Sequence, residues 1–361
     1  APATEQTREA YMAALFAEIG GRAKDYSDRT VTSIFIGGGT PSLLSGEQIG
    51  QLMDRIREQF AMAQDAEITM EVNPGTASAE KLRNFYTAGI NRLSIGMQSA
   101  QAEELKNLGR IHDFEGFCQV YREAVEAGFT NINVDIMSGL PGQTLASYRD
   151  TLEKVLHLEP MPQHISAYSL IVEEGTPFAA MAERGELPLP EEETERAMYE
   201  ETIEVLAKYG FHRYEISNYA RDGYECRHNV GYWIRRDYLG FGIGAASLID
   251  NVRFQNEKSL GAYLAHPLES REEEQTLTVQ DRMEETMFLG LRLTRGVSCV
   301  DFAEQYGRTV EEVYGEVIAR NVADGLLTVT ERKENQKKDR LLALTKRGLD
   351  LSNYVMAQFL F

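Results

Sequence analysis

Between residues 31 and 209 the hydrophobic pattern switches back and forth between two periods. Short apolar runs of strand type recur at 31–36, 67–72, 91–95, 131–136 and 164–170. Each is followed by a stretch with apolar residues every three or four positions: 45–60, 78–88, 114–127, 144–156 and 191–209. Ser45, Ser78, Asp113 and Thr144 stand where helix N-caps belong, and Gly89 and Gly128 where C-caps belong. Repeated βα units of this length predict a parallel sheet, closed as a barrel or open and doubly wound. An earlier helical run carries Tyr11, Leu15 and Ile19 at helical spacing and is expected to stop at Gly20-Gly21.

Past residue 210 the alternation loosens into Gly-, Tyr- and Asn-rich segments, and an acidic stretch at 269–274 reads as a linker or exposed turn. Helical runs at 281–291, 300–306 and 310–324 then precede strand-like runs at 326–330 and 340–344 around a charged turn at 331–339, with a last helix from about Lys346. That order resembles a winged-helix module. The expected organisation is a barrel-type domain over 1–250, a linker over 251–278 and a winged-helix-like domain over 279–361.

Charge removes one class of partner. The 37 basic and 56 acidic residues leave a net charge of −19, which opposes binding to a phosphate backbone. Lys337, Lys338 and Arg340 therefore read as a solvated turn rather than a nucleic-acid contact. No apolar run approaches the roughly 20 residues that cross a bilayer. Cys118, Cys226 and Cys299 are few, odd in number and far apart, which fits a reducing, cytoplasmic setting and supplies no compact thiolate metal site.

The candidate chemistry stands at the strand ends. The first strand-like run feeds into Gly37-Gly38-Gly39-Thr40-Pro41, a turn whose backbone a ligand can approach closely. The next runs end in Glu71-Val72-Asn73-Pro74, in Gly96-Met97-Gln98-Ser99 with Arg110 just beyond, and in a segment opening on Asp135. In a parallel barrel or sheet these ends form one rim, where ligands bind. The set suits a zwitterion: Glu71 for an ammonium, Arg110 for a carboxylate by a forked contact, Asp135 for a ribose diol. The plain alternative is that each residue satisfies a neighbouring loop amide and that the glycines make only a tight turn.

GGGTP after a strand, EVNP, GMQS, LGRIH and NVDIMSGLPGQT, in this order, resemble the radical S-adenosylmethionine (SAM) family in its coproporphyrinogen III oxidase-like branch. The resemblance runs over nearly the whole chain. It implies an incomplete (β/α)6 TIM-like barrel with a C-terminal winged-helix-like module. It also implies SAM contacts from Gly38, Gly39, Thr40, Glu71, Gln98, Arg110 and Asp135. Within the branch, the segment His228-Asn229-Val230-Gly231-Tyr232-Trp233 is similar to the HNxxYW pattern of the HemW heme chaperones. That implies heme as cargo, heme-accepting proteins as partners, and His228, Tyr232 and Trp233 as residues meeting it. An imidazole can ligate heme iron, and tyrosine and the single tryptophan offer flat apolar faces. The plain alternative is a core aromatic cluster.

One departure is large. The family holds a [4Fe–4S] cluster with three cysteines in a CxxxCxxC run after its first strand, and SAM occupies the fourth iron. No such run occurs here, and no strand signal precedes the first helix. The expectation is an N-terminally truncated chain whose intact parent holds the cluster, against a degenerate relative that has lost it. The cluster cysteines being missing, SAM cleavage is not expected of the chain as given, and one edge of the sheet is expected to lie uncovered. Three other functions stay open. They are an oxygen-independent coproporphyrinogen III oxidase, a SAM-using methyltransferase or heme-opening enzyme of the same branch, and an ordinary TIM-barrel enzyme. The last would hold phosphate at Gly37–Gly39 with Gly240–Gly244 as its second glycine loop.

Overall fold

The computed structural model describes residues 4–269, 271–334 and 337–360. By contacts the chain falls into two units: Arg29–Arg213 with Ser217–Glu225, and the remainder, comprising the segment up to Asp28, Tyr214–Ile216 and Cys226 onward.

In the first unit, β1 (Thr30–Ile36), β2 (Ala61–Val72), β3 (Arg92–Gln98), β4 (Ile132–Ser138) and β5 (His164–Ser169) lie parallel and in sequence order. The sheet finishes in β6 (His212–Arg213) and β7 (Asn218–Ala220), with β7 antiparallel to both β5 and β6. The seven strands curl into a half-barrel. The intervening helices start as expected: Ser45 and Thr144 each close a capping box, and Ser78 and Asp113 accept the N–H three residues on.

Each central strand presents opposite chemistry on its two faces. Ile68, Met70, Val72, Leu93, Ile95, Met97, Ile132, Val134, Ile136 and Ile165 share one core with the helices. Side chains of a strand alternate between faces, so Glu67, Thr69 and Glu71 fall together on the other face. Arg92, Ser94, Asn133, Asp135, His164, Ser166 and Tyr168 share it. The register aligns them across the sheet: Glu71 beside Ser94, Ser94 beside Asn133, Asn133 beside His164, and Asp135 beside Ser166. The inner face of the half-barrel is thus a polar surface, closed off from the apolar layer under the helices.

The second unit departs from the expected boundaries. Its first helix, Glu5–Arg22, does not stop at Gly20-Gly21. Glycine tolerates a helix, and here the next residue, Arg22, is buried and pairs with Glu18 one turn back at 2.9 Å. Glu18 also accepts from Asn256 (2.7 Å), Tyr263 (2.7 Å) and the Gly242 N–H (2.9 Å), so this helix belongs with residues 242–263 rather than with the barrel. The stretch expected as linker is folded: β8 (Ala246–Ile249), β9 (Val252–Asn256) and β10 (Arg271–Thr276) form an antiparallel sheet, the acidic residues of 269–274 lying mostly on its exposed edge strand. An edge so charged resists pairing with another chain.

The C-terminal part of this unit has the winged-helix order. Helices Val279–Gly290, Cys299–Tyr306 and Val310–Ala323 pack on a sheet of β11 (Val297–Ser298), β12 (Leu327–Glu334) and β13 (Lys337–Leu344) around Met287, Leu291, Phe302, Val310, Leu342 and Phe359. The charged residues expected to form a turn over 331–339 instead continue the ladder. Glu331 faces Arg340 and Arg332 faces Asp339, opposite charges that favour pairing. Among the described residues no helix is long and apolar enough to cross a membrane.

Candidate functional site

The turn after β1 is open. Gly38 (φ +79°) and Gly39 (φ +74°) take left-handed conformations, and a Cβ on either would meet nothing within 4 Å. Gly37 is the opposite case, because a Cβ there would come within 2.8 Å of the Phe35 ring and 3.0 Å of the Glu71 carboxyl carbon. The Gly38 N–H donates to Glu71 Oε2 at 3.2 Å, which carries the end of β2 against the turn. Behind it, the Thr40 carbonyl accepts from the Leu43 N–H. Ser42 Oγ accepts from the Asn73 N–H (3.0 Å), and Lys81 Nζ donates to the Ser42 carbonyl at 2.9 Å. The turn is therefore rigid on its protein side and clear on the other.

Around it the inner face gathers the other rim residues. Asp135 accepts from Asn133 Nδ2 (2.7 Å) and, more weakly, from Ser94 Oγ at 3.3 Å. Burial pushes its carboxyl up; the hydrogen bonds from Asn133, Ser166 and Ser94 and the charge of Arg92 pull against the rise. Burial likewise raises Glu71, the Gly38 N–H draws it back, and Asp135 adds to the rise. Gln98 sits at a bulge with φ +69°, and its Oε1 accepts from the Tyr168 hydroxyl at 3.0 Å. A Cβ on Gly96 would lie 2.9 Å from Gln98 Nε2 and 4.0 Å from an Arg110 nitrogen, so the glycine leaves room for both side chains. The Arg110 guanidinium has no hydrogen-bond or ion-pair partner among the described residues. Tyr168 feels Asp135, Arg110 and Glu71 together, and burial, the largest effect, pushes its hydroxyl far up. Glu71, Gln98, Arg110, Asp135 and the Gly38–Thr40 turn are thus brought to one end of one face. They combine two carboxylates, an unpaired guanidinium and an amide beside open backbone, a donor set for a zwitterion that also carries hydroxyls.

Below them lies a layer that rim reasoning missed. Asn133 Oδ1 accepts from His164 Nδ1 at 2.6 Å and from Ser166 Oγ at 3.1 Å, while Asn133 Nδ2 also donates to Ser94. Burial, then the charge of Arg92, drives His164 well below the usual imidazole range, so it is neutral. The signal was present as period-two polarity in Glu67-Ile68-Thr69-Met70-Glu71, Arg92-Leu93-Ser94 and His164-Ile165-Ser166. A second missed group is the buried Glu104. It accepts from Ser99 Oγ (2.6 Å), Gln143 Nε2 (3.0 Å) and Ser147 Oγ (2.6 Å), joining the loops after β3 and β4.

In the second unit the HNVGYW segment is a short helix, Arg227–Trp233. His228 and Tyr232, four residues apart, share a face: their rings meet edge-on with centroids 4.8 Å apart, and His228 Nε2 lies 2.9 Å from the Tyr232 hydroxyl. Tyr238 stacks edge-on against Tyr232 at 4.7 Å. Burial, with lesser contributions from Tyr238 and Cys226, pushes the Tyr232 hydroxyl up to about 12, so it stays protonated. Trp233 does not join them. Five positions from His228 is well off its face of a helix, and the indole instead lies under the Arg292 guanidinium, 4.3 Å from the ring centroid. The second glycine loop is not a phosphate cradle. The N–H groups of Gly240, Gly242 and Gly244 are given to Ser247 Oγ, Glu18 Oε2 and the Glu257 carbonyl.

Comparison with known proteins places the chain. Residues 3–155 match the Radical SAM superfamily, and residues 277–351 match the HemN C-terminal domain. The chain is 37% identical to the heme chaperone HemW of Bacillus subtilis, over 98% of this chain and 92% of that protein. It is also 37% identical to the HemW of Escherichia coli, over 83% and 78%. Its fold is similar to that of the coproporphyrinogen III oxidase HemN of Escherichia coli, a radical SAM enzyme, with a TM-score of 0.82, 26% identity, and coverage of 99% of this chain and 84% of that one. With the polar inner face of a half-barrel, a winged-helix-like C-terminal part and near full-length likeness in hand, the chain belongs to the HemW family of heme chaperones within the radical SAM superfamily.

Proposed function

We propose that this protein binds heme, delivers it to heme-accepting proteins, and holds SAM on the inner face of its half-barrel. The observation that carries the reading is the junction of Gly38–Thr40, Glu71, Gln98, Arg110 and Asp135 at one end of that face, in a chain similar along 98% of its length to a protein named a heme chaperone. SAM fits these residues: the space where a Cβ at Gly38 or Gly39 would stand is empty, and Arg110 has a guanidinium to spare. When bound, SAM supplies a sulfonium-activated adenosyl group. Arg110 pairs with its carboxylate, Glu71 takes its ammonium, Asp135 its ribose hydroxyls, and Gln98 donates from an amide that Tyr168 orients.

Membership of the superfamily also implies a [4Fe–4S] cluster, and the residues of this chain do not fit one. Cys118 lies in the helix Phe114–Ala127, Cys226 caps the helix Arg227–Trp233, and Cys299 opens the helix Cys299–Tyr306. Among the described residues no three metal-ligating side chains come together. No step is derived through the cluster, and this chain as given is proposed not to cleave SAM.

Heme is proposed to meet the helix Arg227–Trp233, which offers His228 and Tyr232 on one side and Trp233 on another. The three cysteines are free thiols, which agrees with a reducing, cytoplasmic setting. The test is titration of the chain with hemin: a shifted Soret band that saturates at one equivalent is expected, and hemin spectra unchanged by the protein would end the proposal. A second reading, coproporphyrinogen III oxidase activity, is favoured by the likeness to HemN alone; turnover of that porphyrinogen would establish it.

A further inference from the structure

The helix Arg227–Trp233 turns its tryptophan toward a cleft of about 640 Å³ that no part of the SAM site shares. Its apolar wall is Trp233 with Ile234, Val300 and Leu341; Ile234 is 43% exposed. This volume lies within the roughly 300–1,000 Å³ typical of small-molecule sites. The Trp233 Nε1–H is buried and has no partner among the described residues, an unusual state for an indole. Arg292 covers one face of the ring, which fixes its plane. At the mouth stands Arg295, exposed and without a hydrogen-bond or ion-pair partner among the described residues.

Acidic groups also line the cleft, and they set an orientation. Asp339 is committed, since it accepts from the Val300 N–H at 3.2 Å and faces Arg332 across the ladder. Asp301 and Glu304 are exposed on the helix Cys299–Tyr306 and repel an anion from that side. A ligand with a broad flat apolar body and carboxylates at one edge fits with its face on Trp233 and its carboxylates toward Arg295. The cleft has no histidine, cysteine or methionine in its lining, so it supplies no soft or imidazole ligand for iron. His228 and Tyr232 are absent from it as well.

Resting on the heme reading, we infer that this cleft seats the tetrapyrrole by its macrocycle and propionates rather than by its iron, through Trp233 and Arg295. Such a seat makes no bond to iron and leaves the face turned away from Trp233 open to an acceptor protein, which suits transfer.

Trp233 is the sole tryptophan, so its fluorescence reports on the cleft in the full chain. Hemin, metal-free protoporphyrin and protoporphyrin dimethyl ester are titrated against the native chain, Arg295→Ala and His228→Ala. Arg295 is exposed, so its replacement leaves folding intact. Hemin and metal-free protoporphyrin are expected to bind within about threefold of each other. Arg295→Ala should weaken both by about three- to tenfold, the scale of one partly exposed charged contact. It should leave the ester unchanged, and His228→Ala should change hemin and metal-free protoporphyrin by the same factor, since no bond to iron is at stake. Binding of hemin but not metal-free protoporphyrin, lost in His228→Ala and indifferent to Arg295→Ala, overturns the cleft while leaving the heme reading standing. Failure of every tetrapyrrole to bind overturns both.

Discussion

Gly38 gives its backbone N–H to Glu71 at 3.2 Å, and this one bond ties the open turn after β1 to a carboxylate whose charge the fold resists. Burial raises the Glu71 pKa above 4.5. An acid so raised contributes stability that is fully present below the unfolded pKa and is lost as pH rises through the folded one. Glu71→Gln removes that titration. Its melting temperature should gain on the native chain as pH rises above about 4, while its affinity for SAM falls at least tenfold. Thermal unfolding across that range and calorimetry with SAM check both. A stability difference that does not change with pH would show that Glu71 is not strained in the folded chain.

Tyr168 sets the orientation of the Gln98 amide. Its hydroxyl occupies Gln98 Oε1 at 3.0 Å, which turns the two amide donors away from it toward the space over Gly96. Tyr168→Phe lets that amide rotate. The expected cost is about 1 kcal/mol in stability, one hydrogen bond, and a several-fold loss of SAM affinity. In a cycle with Gln98→Ala the two affinity losses should be strongly non-additive. Full additivity would assign Tyr168 a contact of its own.

The rim was legible because a βα repeat announces which strand ends share a side. Glu71, Gln98 and Asp135 could therefore be placed together from their positions alone. The depth of the site was not, since Arg92, Asn133 and His164 matter only once period-two polarity is read across several strands at once. Neighbours far apart in sequence were hidden for a related reason. Glu18 meets Asn256, and nothing local in either segment marks the other, so the first helix was assigned to the barrel and residues 251–278 to a linker. His228 and Trp233 looked like one aromatic patch because five positions are adjacent in a motif but diverge around a helix.

Glu104 holds the rim from outside the ligand space. Three donors, on Ser99, Gln143 and Ser147, converge on its buried carboxylate, and Gln143 also reaches the Met137 carbonyl at 3.1 Å. Glu104→Ala takes the shared acceptor from all three; Gln143 keeps the Met137 carbonyl and Ser147 the Thr144 carbonyl at 3.0 Å, and the stranded Ser99 hydroxyl sets a cost of about 1–3 kcal/mol. The segments that follow β3 and β4, Arg110 among them, are then free to drift, so SAM affinity should fall although Glu104 lies outside the rim. Glu104→Gln keeps two acceptor positions and should lose less of both. Urea unfolding and SAM titration of the two variants measure this; equal losses in both would mean that charge, not the acceptor pattern, is what counts.

Glu18 and Arg22 pose the same question for the second unit. Both are buried and 2.9 Å apart, and Asn256, Tyr263 and Gly242 complete the shell of Glu18. Removing one member of a buried pair strands the other charge, so Glu18→Ala should cost about 3–5 kcal/mol. Replacing both with methionine removes the two desolvated charges together and fills similar volume. That double variant should be more stable than Glu18→Ala, its remaining cost set by the three donors left at Asn256, Tyr263 and Gly242. The sole tryptophan, Trp233, lies in the same unit, so its fluorescence during urea unfolding reads this part of the chain directly. A double variant as unstable as Glu18→Ala would show that the hydrogen bonds from residues 242–263, and not the ion pair, hold the first helix in place.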